Sequence, residues 1–172
     1  MIDTDRIGVA FERNAKALTK RPSLGQNTAT SKVRVTDGLT CQIEEGRWRF
    51  TADMPEQVGG SASGPAPGVF GRAAFGSCLA MGYVMHLARA GILISGIEVE
   101  VQADFDDGAL FGVSESPAGY IEVRYAVTVY SDAPEADISR ILDEADAHSP
   151  YHDVFSRPQS LHRAVRVVPS SS

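Results

Sequence analysis

The sequence contains little cysteine and fewer positive than negative charges. Its 172 residues include 2 cysteines, and 16 lysines and arginines stand against 22 aspartates and glutamates, for a formal net charge of -6. Two cysteines in a chain of this length do not make a disulfide framework. The negative charge argues against a nucleic-acid partner, because phosphates favour a basic protein surface.

Long apolar runs are also missing. The longest predominantly apolar stretch lies between Arg72 and His86, far shorter than the roughly 20 apolar residues that a membrane-spanning helix needs. No basic and apolar leader of the export type opens the chain. We therefore expect one domain, cytoplasmic, with reduced thiols and without a membrane partner.

Hydrophobic periodicity predicts a mixture of helices and strands. Apolar residues spaced by three and four predict an amphipathic N-terminal helix before Pro22: Ile7, Phe11, Ala15 and Leu18. Alternating apolar and polar residues predict strands in four regions: three short strands within 32–54, then 97–105, 120–130 and a closing strand at 163–168. A helix after Asp132, which can cap it, carries Ile138 and Ile141 on one face. The fold class is α+β.

The segment from Phe70 to Gly91 is apolar on nearly every side, which predicts a central helix that is buried against a sheet or a partner chain and ends at Gly91. The Gly- and Ser-rich loop before it, at 59–68, lacks the Gly-Lys-Ser/Thr sequence of a phosphate-binding loop. We divide the chain into an N-terminal helix with its linker, 1–31, and a main domain, 32–172.

Cys78, in the middle of that central helix, permits two interpretations. A buried free cysteine commonly packs as a small apolar side chain, and apolar surroundings suppress its reactivity. His86 lies eight residues further on, about 12 Å along a helix and beyond hydrogen-bond reach. A reactive thiol would need an arginine from a strand or from a second chain.

Other candidate sites are weaker. His148 and His152 have the spacing of a helical zinc-binding pair, but Pro150 between them is expected to break the helix. A catalytic zinc would also need a third protein ligand. The sequence GSCLA is not the nucleophile elbow of a serine hydrolase. We expect no metal and no cofactor.

Two segments resemble motifs of a known family. GPAPGVFGRAAFGSCLAMGYVMHLA and ISRILDEADAHSPYHDVFSRP resemble the loop-helix-cysteine motif and the His-Cys-Pro turn of the osmotically inducible protein C (OsmC) and organic hydroperoxide resistance (Ohr) family. With the strands in the same order, the resemblance covers roughly residues 32–168. It implies an OsmC-like fold in which antiparallel sheets flank a buried central helix, in an intertwined homodimer with the reactive cysteine near the interface.

The resemblance also implies a thiol peroxidase and its site residues. Cys78 falls on the position of the cysteine that attacks an organic hydroperoxide, and Ser149 falls on the position of the second, disulfide-forming cysteine. Gly68 stands where hydroperoxide-specific members carry a glutamate that holds an arginine against the thiolate. That arginine, one at most, is left among three candidates: Arg34, Arg47 and Arg49.

These departures leave two functions open. The first is a divergent hydroperoxide reductase in which Cys78 works in a one-cysteine cycle, or in which an external thiol resolves the oxidised cysteine. Cys41 could replace the resolving cysteine only if its strand passes next to Cys78. The alternative is a non-catalytic dimer of the same fold that binds a small hydrophobic ligand.

Overall fold

Residues 2–169 are described by a computed structural model. The helices are α1 (Thr4–Lys20), α2 (Pro67–Arg89), α3 (Asp107–Leu110), α4 (Glu135–Asp146) and α5 (Pro150–Ser156). The strands are β1 (Lys32–Asp37), β2 (Thr40–Glu45), β3 (Trp48–Ala52), β4 (Gly96–Asp104) and β5 (Glu122–Tyr130). Two parts of the predicted division of the chain lie outside the described residues: residue 1 of the segment 1–31, and residues 170–172 of the main domain 32–172.

The first sheet is an antiparallel meander of β1, β2 and β3. Its register aligns Val33 with Ile43 and Phe50, so the alternating apolar residues share one face. Much of this face is open, since Val33 is 57% exposed and Phe50 is 45% exposed. The strands confirm the predicted alternation, and one apolar face of the sheet remains largely uncovered within the chain.

The main core lies between α2 and the second sheet, which consists of β4 and β5 in antiparallel register. Phe75, Leu79 and Tyr83 are almost fully buried there, together with Ala145 of α4. Valines from alternate positions of β4 and β5 pack against them, because side chains on a strand alternate between the two faces. This arrangement confirms the predicted α+β class with antiparallel sheets.

The central helix α2 is continuous from Pro67 to Arg89. Gly91 follows it with a φ of +73°, the left-handed conformation that commonly ends a helix and that glycine adopts without a Cβ clash. The predicted end is therefore confirmed. One side of α2 is uncovered within residues 2–169, since Met81 is 61% exposed and Met85 is 43% exposed.

Two sequence predictions near the C-terminus are wrong. Residues 163–168 form no strand, because no strand among residues 2–169 lies alongside them to complete a hydrogen-bonded ladder. Asp132 does not cap α4, whose N-cap is Pro134 and has no side-chain hydrogen bond. Within residues 2–169, none of the helices combines the length and the hydropathy needed to cross a bilayer.

Candidate functional site

Cys78 lies about three turns into α2, since the helix starts at Pro67. Neither Gly71 nor Gly76 interrupts the helix, so no helix start lies closer to the thiol. The favourable field of a helix N-terminus fades within its first turn and does not reach this position. Any activation of Cys78 must come from side chains around it.

The polar neighbour of the Cys78 thiol is Ser149. The Sγ and Oγ atoms are 3.7 Å apart, although the two residues are 71 positions apart in the sequence. Ser149 is buried and caps the N-terminus of α5, where its hydroxyl accepts a hydrogen bond from the backbone N–H of His152 at 3.3 Å. The hydroxyl proton of Ser149 remains available to the Cys78 sulfur.

The other cysteine belongs to a different part of the fold. Cys41 lies on β2, and its Sγ is 3.7 Å from the carbonyl oxygen of Leu39. Both cysteines are free. Within residues 2–169, the polar contact of the Cys78 thiol is therefore with a hydroxyl and not with a second sulfur.

A cavity of about 740 Å³ adjoins Cys78. Its walls come from α1, α2, α4 and the segment that leads into α5. Apolar side chains make up much of the lining: Phe11, Ala74, Met81, Met85, Pro150 and Tyr151. The volume lies in the range of small-molecule sites, so the thiol faces a space that an apolar organic molecule can occupy.

A tyrosine pair holds the end of α4 against the core. The hydroxyl of Tyr83 donates to one carboxylate oxygen of Asp146 at 2.6 Å, and the hydroxyl of Tyr125 donates to the other at 2.9 Å. Burial, followed by the hydrogen bond to Asp146, raises the pKa of both tyrosines, so both hydroxyls keep their protons. Asp146 precedes Ser149 by three residues, and its anchoring positions Ser149 against α2.

A cluster of charged side chains lies at the end of the cavity that His86, Arg89 and His148 line. Arg89 donates to Glu12 of α1 and to Glu144 of α4, each at 3.2 Å. His86 lies 3.9 Å from the same Glu144 carboxylate, and Nδ1 of His148 is 2.7 Å from the Glu144 carbonyl oxygen. Burial lowers the pKa of His86, which keeps its imidazole uncharged at neutral pH.

The three candidate arginines lie in and beside the first sheet. Within residues 2–169, none of them lines the cavity or hydrogen-bonds the Cys78 thiol. The register puts Arg34 and Arg49 on the polar face of the sheet, opposite its apolar face. Arg47 lies in the β2–β3 turn, with its guanidinium 4.7 Å from the centre of the Trp48 ring.

The Gly- and Ser-rich loop before α2 hydrogen-bonds a carboxylate of the same chain, that of Asp53. The buried Asp53 accepts hydrogen bonds at one carboxylate oxygen from the backbone N–H and the hydroxyl of both Ser61 and Ser63. The Thr40 hydroxyl donates to the same oxygen at 3.0 Å. The Ser61 hydroxyl, followed by the Ser63 N–H, holds the pKa of Asp53 far below its ordinary value.

The histidines near the end of α4 do not converge. His148 turns to the carbonyl oxygen of Glu144, whereas the ring of His152 packs edge-on against Tyr125. Pro150 separates the two and begins α5. Across residues 2–169, no three histidine, cysteine or acidic side chains come together as metal ligands would.

The family follows from the sequence match. The model of the OsmC-like protein family matches residues 60–162, more than half of the chain. The chain belongs to the OsmC-like family. Among curated proteins, none matches this OsmC-like chain.

Solved structures share the OsmC-like fold. An OsmC-like protein from Mycoplasma pneumoniae has a TM-score of 0.64 at 15% identity, covering 76% of this chain and 88% of its own. An organic hydroperoxide resistance protein OsmC from Legionella pneumophila has a TM-score of 0.55 at 14% identity, with 76% and 90% covered. An organic hydroperoxide resistance protein from Elizabethkingia anophelis has a TM-score of 0.57 at 14% identity, with 76% and 89% covered.

Three parts of this OsmC-like site could not be found from the sequence. The spacing of apolar residues predicts that Phe11 lies on the apolar face of an amphipathic helix, but it does not indicate which residues that face contacts. Arg89 and Asp146 look like ordinary surface charges in a helix. Their roles come from contacts with residues far away in the sequence, which a pattern of spacing does not contain.

Proposed function

We propose that this OsmC-like protein is a thiol-dependent reductase of organic hydroperoxides with Cys78 as its nucleophile. The observation that carries the proposal is the contact between Cys78 and Ser149 beside an apolar cavity. Membership of the family supports it. So do two similar structures described as organic hydroperoxide resistance proteins.

The proposed cycle uses one cysteine. The Cys78 thiolate attacks the distal oxygen of the hydroperoxide ROOH, the O–O bond breaks, and the alkoxide leaves as ROH after taking a proton from water. The sulfur has lost two electrons and is a sulfenic acid. An external thiol attacks it to give a mixed disulfide and water, and a second external thiol restores Cys78 and leaves as a disulfide. The cycle needs a reduced thiol pool, for which we propose the cytoplasm.

The activating arginine belongs, in this proposal, to a second copy of the chain in a homodimer. The open apolar face around Val33 and Phe50, and the exposed side of α2 at Met81, are surfaces that a partner would cover. Arg34 and Arg49 lie on the opposite face of that sheet, and Arg49 is 3.5 Å from the Glu44 carboxylate. Arg47, in the turn at the end of the sheet, is the candidate best placed to reach a partner's thiol.

One observation favours the alternative, a non-catalytic binder of a small hydrophobic ligand. Within residues 2–169, the Cys78 sulfur meets a hydroxyl and apolar groups, and no cation hydrogen-bonds it. A cavity of about 740 Å³ is large enough for such a ligand. The two functions differ in whether Cys78 reacts with a hydroperoxide.

The test is intact-mass analysis after brief exposure to cumene hydroperoxide with a sulfenic-acid trap. We expect the wild type to gain one trapped adduct at Cys78 at less than one equivalent of peroxide, far faster than free cysteine. The Cys78→Ser variant should gain none, and a Cys41→Ser variant should behave as the wild type. Arg47→Ala should slow the reaction at least tenfold, the scale of one lost charge-assisted contact.

One outcome would count against the reductase, and another against the assignment of Arg47 alone. If folded wild type stays unmodified while free cysteine reacts, the reductase proposal fails and the binder is favoured. The cavity would then be searched for a ligand by native mass spectrometry. If Arg34→Ala or Arg49→Ala slows the reaction and Arg47→Ala does not, the assignment of Arg47 is wrong and the reductase stands.

A further inference from the structure

Phe11 separates two cavities. It lines the space of about 740 Å³ next to Cys78, and it also lines a groove of about 490 Å³ along α1. Met85 of α2 is the other residue that lines both the cavity and the groove. The ring of Phe11 and the side chain of Met85 therefore form the partition between the Cys78 cavity and the groove.

The contacts of Phe11 hold this partition in place. Its ring packs edge-on against His86 at 5.3 Å, and the Arg89 guanidinium lies over it at 5.2 Å. Arg89 is itself tied to Glu12, the next residue of α1, at 3.2 Å. A Cβ on Gly8 would come within 2.8 Å of the Ala88 carbonyl oxygen, so α1 approaches α2 as closely as glycine allows.

The charges at this end do not suit an anionic ligand. Arg89 lines the cavity, and its charge is already matched by Glu12 and Glu144, two carboxylates that are not part of the lining. Burial lowers the pKa of His86, whose imidazole adds no positive charge at neutral pH, and His148 turns Nδ1 to the Glu144 carbonyl. A carboxylate at the end of a bound chain would not find in Arg89 an unpaired cation to offset the cost of its desolvation, whereas an uncharged alkyl end carries no such cost.

We propose that Phe11 is a specificity-determining residue that limits the length of the uncharged apolar chain admitted beside Cys78. α1, which carries Phe11, lies outside the region that the family model matches, residues 60–162. The substrate class rests on the proposed function, but the length limit depends only on the cavity. Removing the ring joins the two cavities and lets longer chains enter.

The test uses a thiol reaction that needs no peroxidase activity. In a Cys41→Ser background, Cys78 is labelled with methyl-, octyl- and dodecyl-methanethiosulfonate. The thiolate attacks the sulfenyl sulfur, a mixed disulfide forms and methanesulfinate leaves. We expect the dodecyl rate, relative to the methyl rate, to rise about tenfold in Phe11→Ala, since burial of two further methylenes is worth about that factor. Val9→Ala is the matched control, because Val9 is on the same helix and 71% exposed.

Further variants keep the test decisive if Phe11→Ala loosens α1. Phe11→Leu keeps apolar bulk and should fall between the wild type and Phe11→Ala, with α1 docked as judged by an unchanged thermal unfolding curve. A dodecyl reagent that ends in a carboxylate should react several-fold more slowly than dodecyl itself.

Equal chain-length dependence in the wild type, Phe11→Leu and Phe11→Ala would overturn the length limit. An equal rate for the carboxylate reagent would overturn the uncharged class. Failure of the two proposals can be told apart. A length limit without sulfenic acid formation removes the reductase and leaves Phe11 as the wall of a binding cavity. Sulfenic acid formation without a length limit supports the reductase and removes the role of Phe11 in specificity.

Discussion

The Ser149 hydroxyl lies where a second thiol could reach Cys78. Its Oγ is 3.7 Å from the Cys78 Sγ, so a sulfur at this position needs only a small side-chain rotation to approach bonding distance. Ser149 has a structural task as well, since it caps α5 through the N–H of His152. At the scale of single residues, the Ser149 hydroxyl both contacts the Cys78 thiol and caps α5.

We predict that Ser149→Cys creates an internal resolving thiol. After oxidation of Cys78 to a sulfenic acid, the new thiol should condense with it, releasing water and forming a disulfide. Intact mass should show the loss of two hydrogens relative to the reduced protein. The loss of the cap should lower the free energy of unfolding by about 1 kcal/mol.

A Cys41→Ser background excludes the other thiol, and the additional substitution Cys78→Ser should abolish the disulfide. If the oxidised Ser149→Cys variant remains free of an internal disulfide while Cys78 forms sulfenic acid, the two side chains do not meet in solution as the structure has them.

The loop between β3 and α2 depends on a single carboxylate. Asp53 accepts hydrogen bonds from Ser61 and Ser63 and joins them to Thr40 of β2. These residues lie on either side of β3 and immediately before the helix that carries Cys78. At the scale of elements, one buried anion ties the first sheet to the entry of α2.

We predict that Asp53→Asn lowers the free energy of unfolding at neutral pH. The free energy of unfolding of this variant should also fall less steeply than that of the wild type as the pH is lowered. Hydrogen bonds from Ser61 and Ser63 depress the pKa of Asp53 in the folded chain. Its stabilisation is therefore complete above the unfolded carboxyl pKa, at about pH 4, and is lost as the pH falls towards the folded value. Urea unfolding at a series of pH values measures this.

The difference between wild type and Asp53→Asn should accordingly shrink on acidification. Asp132→Asn, at an exposed position, serves as the control and should leave both the stability and its pH dependence close to wild type. A constant difference between wild type and Asp53→Asn down to acidic pH would contradict the role of the ionised carboxylate.

At the scale of the whole molecule, several large apolar side chains are exposed on the surface of the single chain. Val33, Val35 and Phe50 are open on the first sheet, Met81 on α2, and Val165 and Val167 on the C-terminal segment. The C-terminal valines lie in the segment predicted as a strand, which has no neighbouring strand within residues 2–169. A second copy that covers these surfaces is the homodimer of the proposed function.

We predict a homodimer by sedimentation velocity, and a shift towards monomer in Val33→Lys. A lysine in an apolar interface must lose its hydration without a partner, which should weaken association more than tenfold. Gln42→Lys, an exposed substitution on the polar face of the same sheet, is the matched control. A wild type that remains monomeric at micromolar concentration, or equal effects of both lysines, would contradict this interface.

Much of the fold could be predicted from the sequence, because helices and strands bury residues at regular spacings. The apolar residues of α1, the alternation in β1–β5 and the end of α2 at Gly91 are local patterns, and the structure confirms them. The prediction of a strand at 163–168 is wrong because a strand depends on a non-local partner and not on a local pattern alone. A strand exists only beside another strand, and alternation within one segment does not supply the neighbour.

The sequence by itself determined the order of α1, α2, α4 and β1–β5 and, through its resemblance to the OsmC-like family, the family and the candidate site residues Cys78 and Ser149. Only the tertiary structure decided that these side chains are 3.7 Å apart, that Asp53 fills its own loop, and that Phe11 divides two cavities. Such contacts join residues separated by ten to more than seventy positions. They depend on how the elements pack in three dimensions, which the spacing of residues along the chain does not record.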